Sequence, residues 1–272
     1  MSRSTRDEAL SQALSYFDDH QGGYLADLAA LVAVPTESQN PERQGDLRRY
    51  LDREMTPRFG RLGYTCRIYD NPKGGAGPVL LATRIEDPAL PTIIGYGHGD
   101  VVLGMAGRWA EGRDPWRVTL DGERAYGRGV VDNKGQHLAH IAAIGAVIAT
   151  RGRLGFNSKF LIEMGEETGS PGLDQIVAAN KADFAADGFF ASDGPRTEIS
   201  HPNITLGNRG AATFELKVRL RDGGHHSGNW GGLLANPGTI LAHALASIAD
   251  RRGRILVEAW RPLIPDGVRE VL

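Results

Sequence analysis

At 272 residues the chain exceeds the usual single-domain size, which predicts one large domain plus part of a second. A hydrophobic content of 41%, a charged content of 24% and a net charge of -2, with Lys and Arg scattered along the chain, exclude a nucleic-acid surface and a polybasic membrane patch. The single cysteine, Cys66, excludes an internal disulfide, and with no apolar run of spanning length and no signal-peptide core at the start, a cytoplasmic protein is expected.

The predicted elements follow an α/β plan. A helix over 6–19 carries Leu10, Leu14 and Phe17 on one face, and Gly22-Gly23 breaks it. A second helix spans 24–34 and stops at Pro35. A third covers 45–55. Strands follow at 64–69, 79–84 and 92–97, and the run Val79-Leu80-Leu81 predicts burial on both faces. Residues 116–127 read as a hairpin around Asp121-Gly122. A long helix over 134–150 places Leu138, Ile141, Ala142 and Gly145 on one stripe. A strand over 156–164 comes next, then a helix started by Ser170 as cap and Pro171 in its first turn. Residues 188–191 read as another buried strand.

The pattern changes near 203–206, where a domain boundary is expected. Residues 214–220 alternate strictly, as in a sheet with one wet face. Asn236-Pro237 opens a helix through Ala249, and 255–259 reads as a further strand. The expected domains are 1–204 and 205–272.

Four polar clusters fall where buried strands end. The first is Gly-His98-Gly-Asp100, in which Asp100 could orient the His98 ring toward a metal; a plain loop histidine is the competing reading. The second is Gly127-Arg-Gly-Val-Val-Asp132-Asn-Lys-Gly135. Asp132 there suits either a helix cap or a carboxylate bridging two cations. The third is Glu163-Met-Gly-Glu166-Glu167-Thr-Gly-Ser170, where adjacent carboxylates could divide metal binding from proton transfer. The fourth is Ala191-Ser-Asp193-Gly-Pro195, with Asp193 as turn former or ligand. Strand ends of an open α/β sheet form its functional crevice. One imidazole among several carboxylates suits zinc, and a bridged pair suits two-metal hydrolysis.

In this order, the four motifs resemble the metallopeptidase family of carboxypeptidase G, acetylornithine deacetylase, succinyl-diaminopimelate desuccinylase, aminoacylase and the carnosine-type dipeptidases. The resemblance implies a mixed-sheet zinc-exopeptidase catalytic domain with helices on both faces, and the start of an inserted α+β lid that dimerises. It implies that His98, Asp132 and Asp193 hold one zinc ion. Asp132 would bridge to a second zinc held also by Glu167, with cobalt or manganese as substitutes. Asp100 would support His98. Glu166 would be the general base toward a water held between the metals, in hydrolysis of an amide bond in a small peptide or N-acyl amino acid. In the lid motif Arg221-Asp-Gly-Gly-His225-His226-Ser-Gly-Asn-Trp-Gly-Gly, His226 matches a histidine that reaches into the partner subunit of a homodimer and stabilises the oxyanion. Asn208-Arg209-Gly210 resembles a turn at the lid's entry. His225, His137 and His140 read as ordinary helix or loop residues.

The chain departs from the family in length. The final histidine ligand of the second zinc normally comes from a returning carboxy-terminal segment, and the last histidine here is His243. Asp266 starts a helix that runs only to Leu272, as expected of a fragment that is poorly soluble or partly folded and inactive by itself. The competing reading is a non-catalytic member that keeps the fold and binds at most one zinc. The retained Glu166 favours the hydrolase.

Overall fold

The structure is a computed structural model, and it describes residues 3–19, 22–194, 200–201, 203–205, 213–261 and 263–270. Two compact units divide the chain, Met1–His201 and Pro202–Leu272.

In the first unit, strands β1 (Thr65–Tyr69), β2 (Val79–Arg84), β3 (Thr92–His98), β6 (Asn157–Glu163) and β7 (Gly188–Ala191) build one sheet in the order β1-β2-β6-β3-β7. The β1–β2 and β2–β6 pairs are antiparallel, and β6–β3 and β3–β7 are parallel. The carboxyl ends of β3, β6 and β7 therefore lie at one end of the sheet. A separate hairpin, β4 (Thr119–Asp121) with β5 (Arg124–Tyr126), turns at Gly122, whose positive φ of 58° suits glycine.

Side chains alternate across the sheet, and both faces are covered. Leu80, Ala82, Phe160 and Ile162 pack under α2 (Tyr24–Val32), the helical run from Gln44 to Arg61, and α5 (Lys134–Arg151). Val79, Leu81, Ile94 and Leu161 pack on the other face with Ile176 of α6 (Leu173–Ala179) and Phe184 of α7 (Lys181–Phe184). Fully burying such aliphatic and aromatic side chains contributes about 1.5–3 kcal/mol each. This twofold burial holds the strand ends rigid where the site forms.

Several elements differ from the sequence expectation. Helix α1 (Arg3–Asp18) exposes Leu10 and Leu14 by more than half, and it buries Ala9 instead. Its small-residue side is what lets it lie close against α5. The helix expected over 45–55 continues through α3 (Gln44–Arg49), a π-helical turn (Tyr50–Met55) and α4 (Thr56–Arg61). Pro57 cannot donate a backbone bond, and the Thr56 hydroxyl donates to Leu51 O at 2.9 Å in that widened turn. Ser170 does not cap a helix. It has a φ of 50° and donates to Glu163 Oε1 at 3.0 Å, and α6 begins three residues later behind Gly172. Strand β7 is an exposed edge, paired with β3 alone, with Phe189 64% and Phe190 52% exposed.

In the second unit, helices α8 (Ser227–Trp230), α9 (Pro237–Ile248) and α10 (Asp266–Arg269) are formed. The Asn236 side chain accepts from Gly238 N, as expected of an N-cap. Residues 214–220 are not a strand, because no neighbouring segment pairs with them among the described residues, and a strand exists only through its ladder. Residues 255–259 are not a strand either. Ile255 forms one isolated bridge with Ala249, and Glu258–Trp260 is a 3-10 turn. Pro195, Asn208, Arg209 and Gly210 lie outside the described residues. No helix among the described residues is long and apolar enough to cross a membrane.

Candidate metal centre

Strand β3 ends at His98, and the loop after it is tied down on both sides. Gly99 N donates to Glu163 O at 2.9 Å, the Thr36 hydroxyl donates to Gly99 O at 2.6 Å, and Val101 N donates to Thr36 O at 2.9 Å. His98 and Asp100 are fully buried. The His98 Nδ1 edge faces Asp100, 3.1 Å from its carbonyl and 3.4 Å from Oδ1. That contact places the proton on Nδ1 and turns Nε2 toward the crevice.

Three carboxylates surround Nε2. Asp132 Oδ1, at the start of α5, is 2.9 Å away. Glu166 Oε2, in the turn after β6, is 3.8 Å away, and Asp193 Oδ2, after β7, is 3.9 Å away. The ligand atoms of His98, Asp132 and Asp193 all lie within 4.8 Å of one another. Four-coordinate zinc, with bonds of about 2.0–2.1 Å, sets its ligand atoms about 3.3 Å apart, so this donor set fits it. The Glu167 carboxylate falls outside that trio. Asp100 also reaches the glutamate turn: its Oδ1 and Oδ2 accept from Glu166 N and Glu167 N, each at 3.2 Å. One buried carboxylate thus orients the imidazole and pins the turn that carries both glutamates.

The crevice is strongly electronegative. Burial opposes charge on His98, but the hydrogen bond to Asp100 and the charges of Asp100, Glu166 and Asp132 push its pKa up to about 9. Burial raises Glu166, His98 partly offsets this, and the charges of Asp193, Asp100 and Asp132 raise it further. Glu167 is raised by burial first and by the charge of Asp132 next. A proton on His98 occupies the place of a cation in the cation-free protein. The folded value of about 9 exceeds the ordinary 6.5, so this proton's stabilisation is complete below 6.5 and is lost as pH rises through 9. Zinc added at about pH 7.5 is therefore expected to displace about one proton per chain from His98, and progressively less above the titration of that ring. Calorimetry in two buffers of different ionisation enthalpy measures this, and zinc uptake with no proton release would contradict it.

The residues that sequence reading passed over lie directly beneath. His137 is fully buried, with Nε2 2.8 Å from the Tyr50 hydroxyl and Nδ1 3.1 Å from Asn133 Oδ1. Burial, with the nearby charges of His98 and Lys134, lowers its pKa to about 3, so it is neutral. Lys134, also fully buried, donates to Leu31 O at 2.9 Å and Val34 O at 2.8 Å. His140 Nδ1 contacts the Ser192 hydroxyl at 2.5 Å. His137 and His140 are helix residues, as read from the sequence, and each meets a polar partner inside the fold. The available signal was their spacing: Lys134, His137, Leu138 and Ile141 share the buried face of α5, where a polar residue needs a partner. His226 lies in the second unit, exposed, and its Nδ1 accepts from Gly228 N at 3.1 Å.

The sequence profile of Peptidase family M20/M25/M40 matches residues 94–254, more than half of the chain. The chain is 36% identical over 262 residues to Beta-Ala-His dipeptidase of Homo sapiens, covering 91% of this chain and 51% of that protein. It is 30% identical over 265 residues to a Cys-Gly metallodipeptidase of Saccharomyces cerevisiae, covering 92% of this chain and 54% of that protein. The crystal structure of human carnosine dipeptidase 1 superposes with a TM-score of 0.69 at 32% identity, over 96% of this chain and 58% of that one. The chain thus spans about half the length of the relatives it matches. With the profile covering all four strand-end motifs in full, the chain belongs to the M20 metallopeptidase family, whose members depend on metal.

Proposed function

We infer that this chain carries the catalytic part of a metal-dependent dipeptidase. The observation that carries the reading is the meeting of His98, Asp132 and Asp193 within 4.8 Å, with Glu166 Oε2 only 3.8 Å from the same imidazole nitrogen. In this reading residues 1–204 form the catalytic domain and 205–272 belong to a lid through which two copies pair, in the cytoplasm. His98, Asp132 and Asp193 would hold one zinc ion, and Asp132 and Glu167 would contribute to a second. Bound zinc would supply Lewis acidity toward the scissile carbonyl and toward water.

The chain's own residues do the rest. Asp100 keeps the His98 proton on Nδ1, so that Nε2 presents its lone pair. Glu166, whose pKa burial raises, is suited to take a proton from water and pass it to the leaving amine. His226 of a second copy donates to the developing oxyanion. The substrates are small dipeptides of the kinds named in the relatives, β-Ala-His and Cys-Gly.

The test is hydrolysis of β-Ala-His and Cys-Gly by the gene product that carries this chain, loaded with zinc, then stripped with a chelator and reloaded. Turnover lost on stripping and restored by zinc, cobalt or manganese is the expected result. A fully loaded protein that cleaves no dipeptide would overturn the reading.

A further inference from the structure

Asp193 follows a four-residue strand at the edge of the sheet, hydrogen-bonded to one neighbour. Such an edge by itself fixes the next residue poorly. The backbone on both sides of Asp193 is held instead by the first turn of α5. Asn133 Nδ2 donates to Ser192 O at 2.5 Å, and Gln136 Nε2 donates to Gly194 O at 2.7 Å. Asn133 Nδ2 also donates to Gln136 Oε1 at 2.9 Å, which joins the two amides into one unit.

The other end of Asn133 is equally engaged. Its Oδ1 accepts from His98 N at 3.2 Å and lies 3.1 Å from His137 Nδ1. The Asn133 side chain therefore uses both donors and both acceptor positions, and the residue is fully buried. His137 is anchored in turn by the Tyr50 hydroxyl at 2.8 Å, deep in the core. Gly97 makes this approach possible: a Cβ there would lie 2.5 Å from His137 Cβ and 2.8 Å from Asn133 Oδ1. One buried amide thus bonds the backbone of His98, adjoins Asp132 in the chain, and grips the residue before Asp193.

We propose that Asn133 and Gln136 are positioning residues, a clamp that sets Asp193 against His98 and Asp132. The proposal rests on reading those three as cation ligands. It assigns no contact between either amide and the cation.

The test is Co(II) affinity, measured by visible absorption and calorimetry, together with the melting temperature of the cation-free protein. Asn133→Ala is expected to weaken Co(II) binding roughly 10–100-fold, the range for partners that orient metal ligands. Gln136→Met keeps the side-chain length and removes the donor. It should weaken binding roughly 5–20-fold, while the cation-free variant melts within about 2 °C of wild type. In an Asp193→Ala background Gln136→Met should cost nothing further, because the clamp acts through Asp193. Wild-type Co(II) binding in Gln136→Met, or an equal loss with and without Asp193, would overturn the clamp. If Asn133→Ala fails to fold, the Gln136→Met pair decides alone. Absence of Co(II) binding to the wild-type protein would instead remove the ligand reading, and the clamp with it.

Discussion

Replacing Glu166 with glutamine is expected to lower dipeptide turnover by roughly 10²–10⁴-fold, the usual contribution of a positioned general base, while bound zinc stays near the wild-type content. The variant keeps the size of the side chain and removes only its basicity. Glu166 Oε2 lies 3.8 Å from His98 Nε2, beside the trio and not among its members. Its backbone N–H is held by Asp100 at 3.2 Å, so the turn itself should survive the substitution. Burial and the neighbouring carboxylates raise its pKa, which suits a group that must accept a proton and then release it. Metal analysis and kcat together decide the role. Loss of zinc along with activity would make Glu166 a ligand and undo the assignment.

A second large effect is expected at His226, in the second unit. His226→Ala should lower kcat by roughly 10²–10³-fold, the scale for removing one oxyanion donor, with zinc content unchanged. In the structure the His226 Nδ1 accepts from Gly228 N at 3.1 Å at the start of α8, which leaves the ring proton on Nε2. Action across a pair of copies gives a sharper test than the loss itself. Mixing inactive His226→Ala and Glu166→Gln subunits should restore activity, because one hybrid site then has both groups intact. No recovery in verified mixed pairs would exclude action in trans.

Much of the first unit was legible in its local patterns. The runs at β2, β3 and β6 are apolar on successive residues, which only a sheet covered on both faces accommodates, and these strands form close to the expected bounds. The polar residues that interrupt those runs, His98, Glu166 and Asp193, could be placed at strand ends for the same reason. A buried strand cannot continue through a charge without a partner. What periodicity cannot report is which element covers a given face. Leu10 and Leu14 of α1 form an apolar stripe, yet α1 turns its small residues toward α5. The alternation of 214–220 is that of a strand, yet no neighbouring segment pairs with it among the described residues.

The sequence by itself determined the sheet strands, the long helix and the set of chemical groups at the crevice, because these depend on contacts of period two or 3.6 within one segment. Only the tertiary structure decided how those groups are held. Asn133 bonds residues 35 and 59 positions away, and His137 meets Tyr50 across 87. Such partnerships carry no local signature, since the cost of burying an amide or an imidazole is offset only by a partner that the folded chain brings to it.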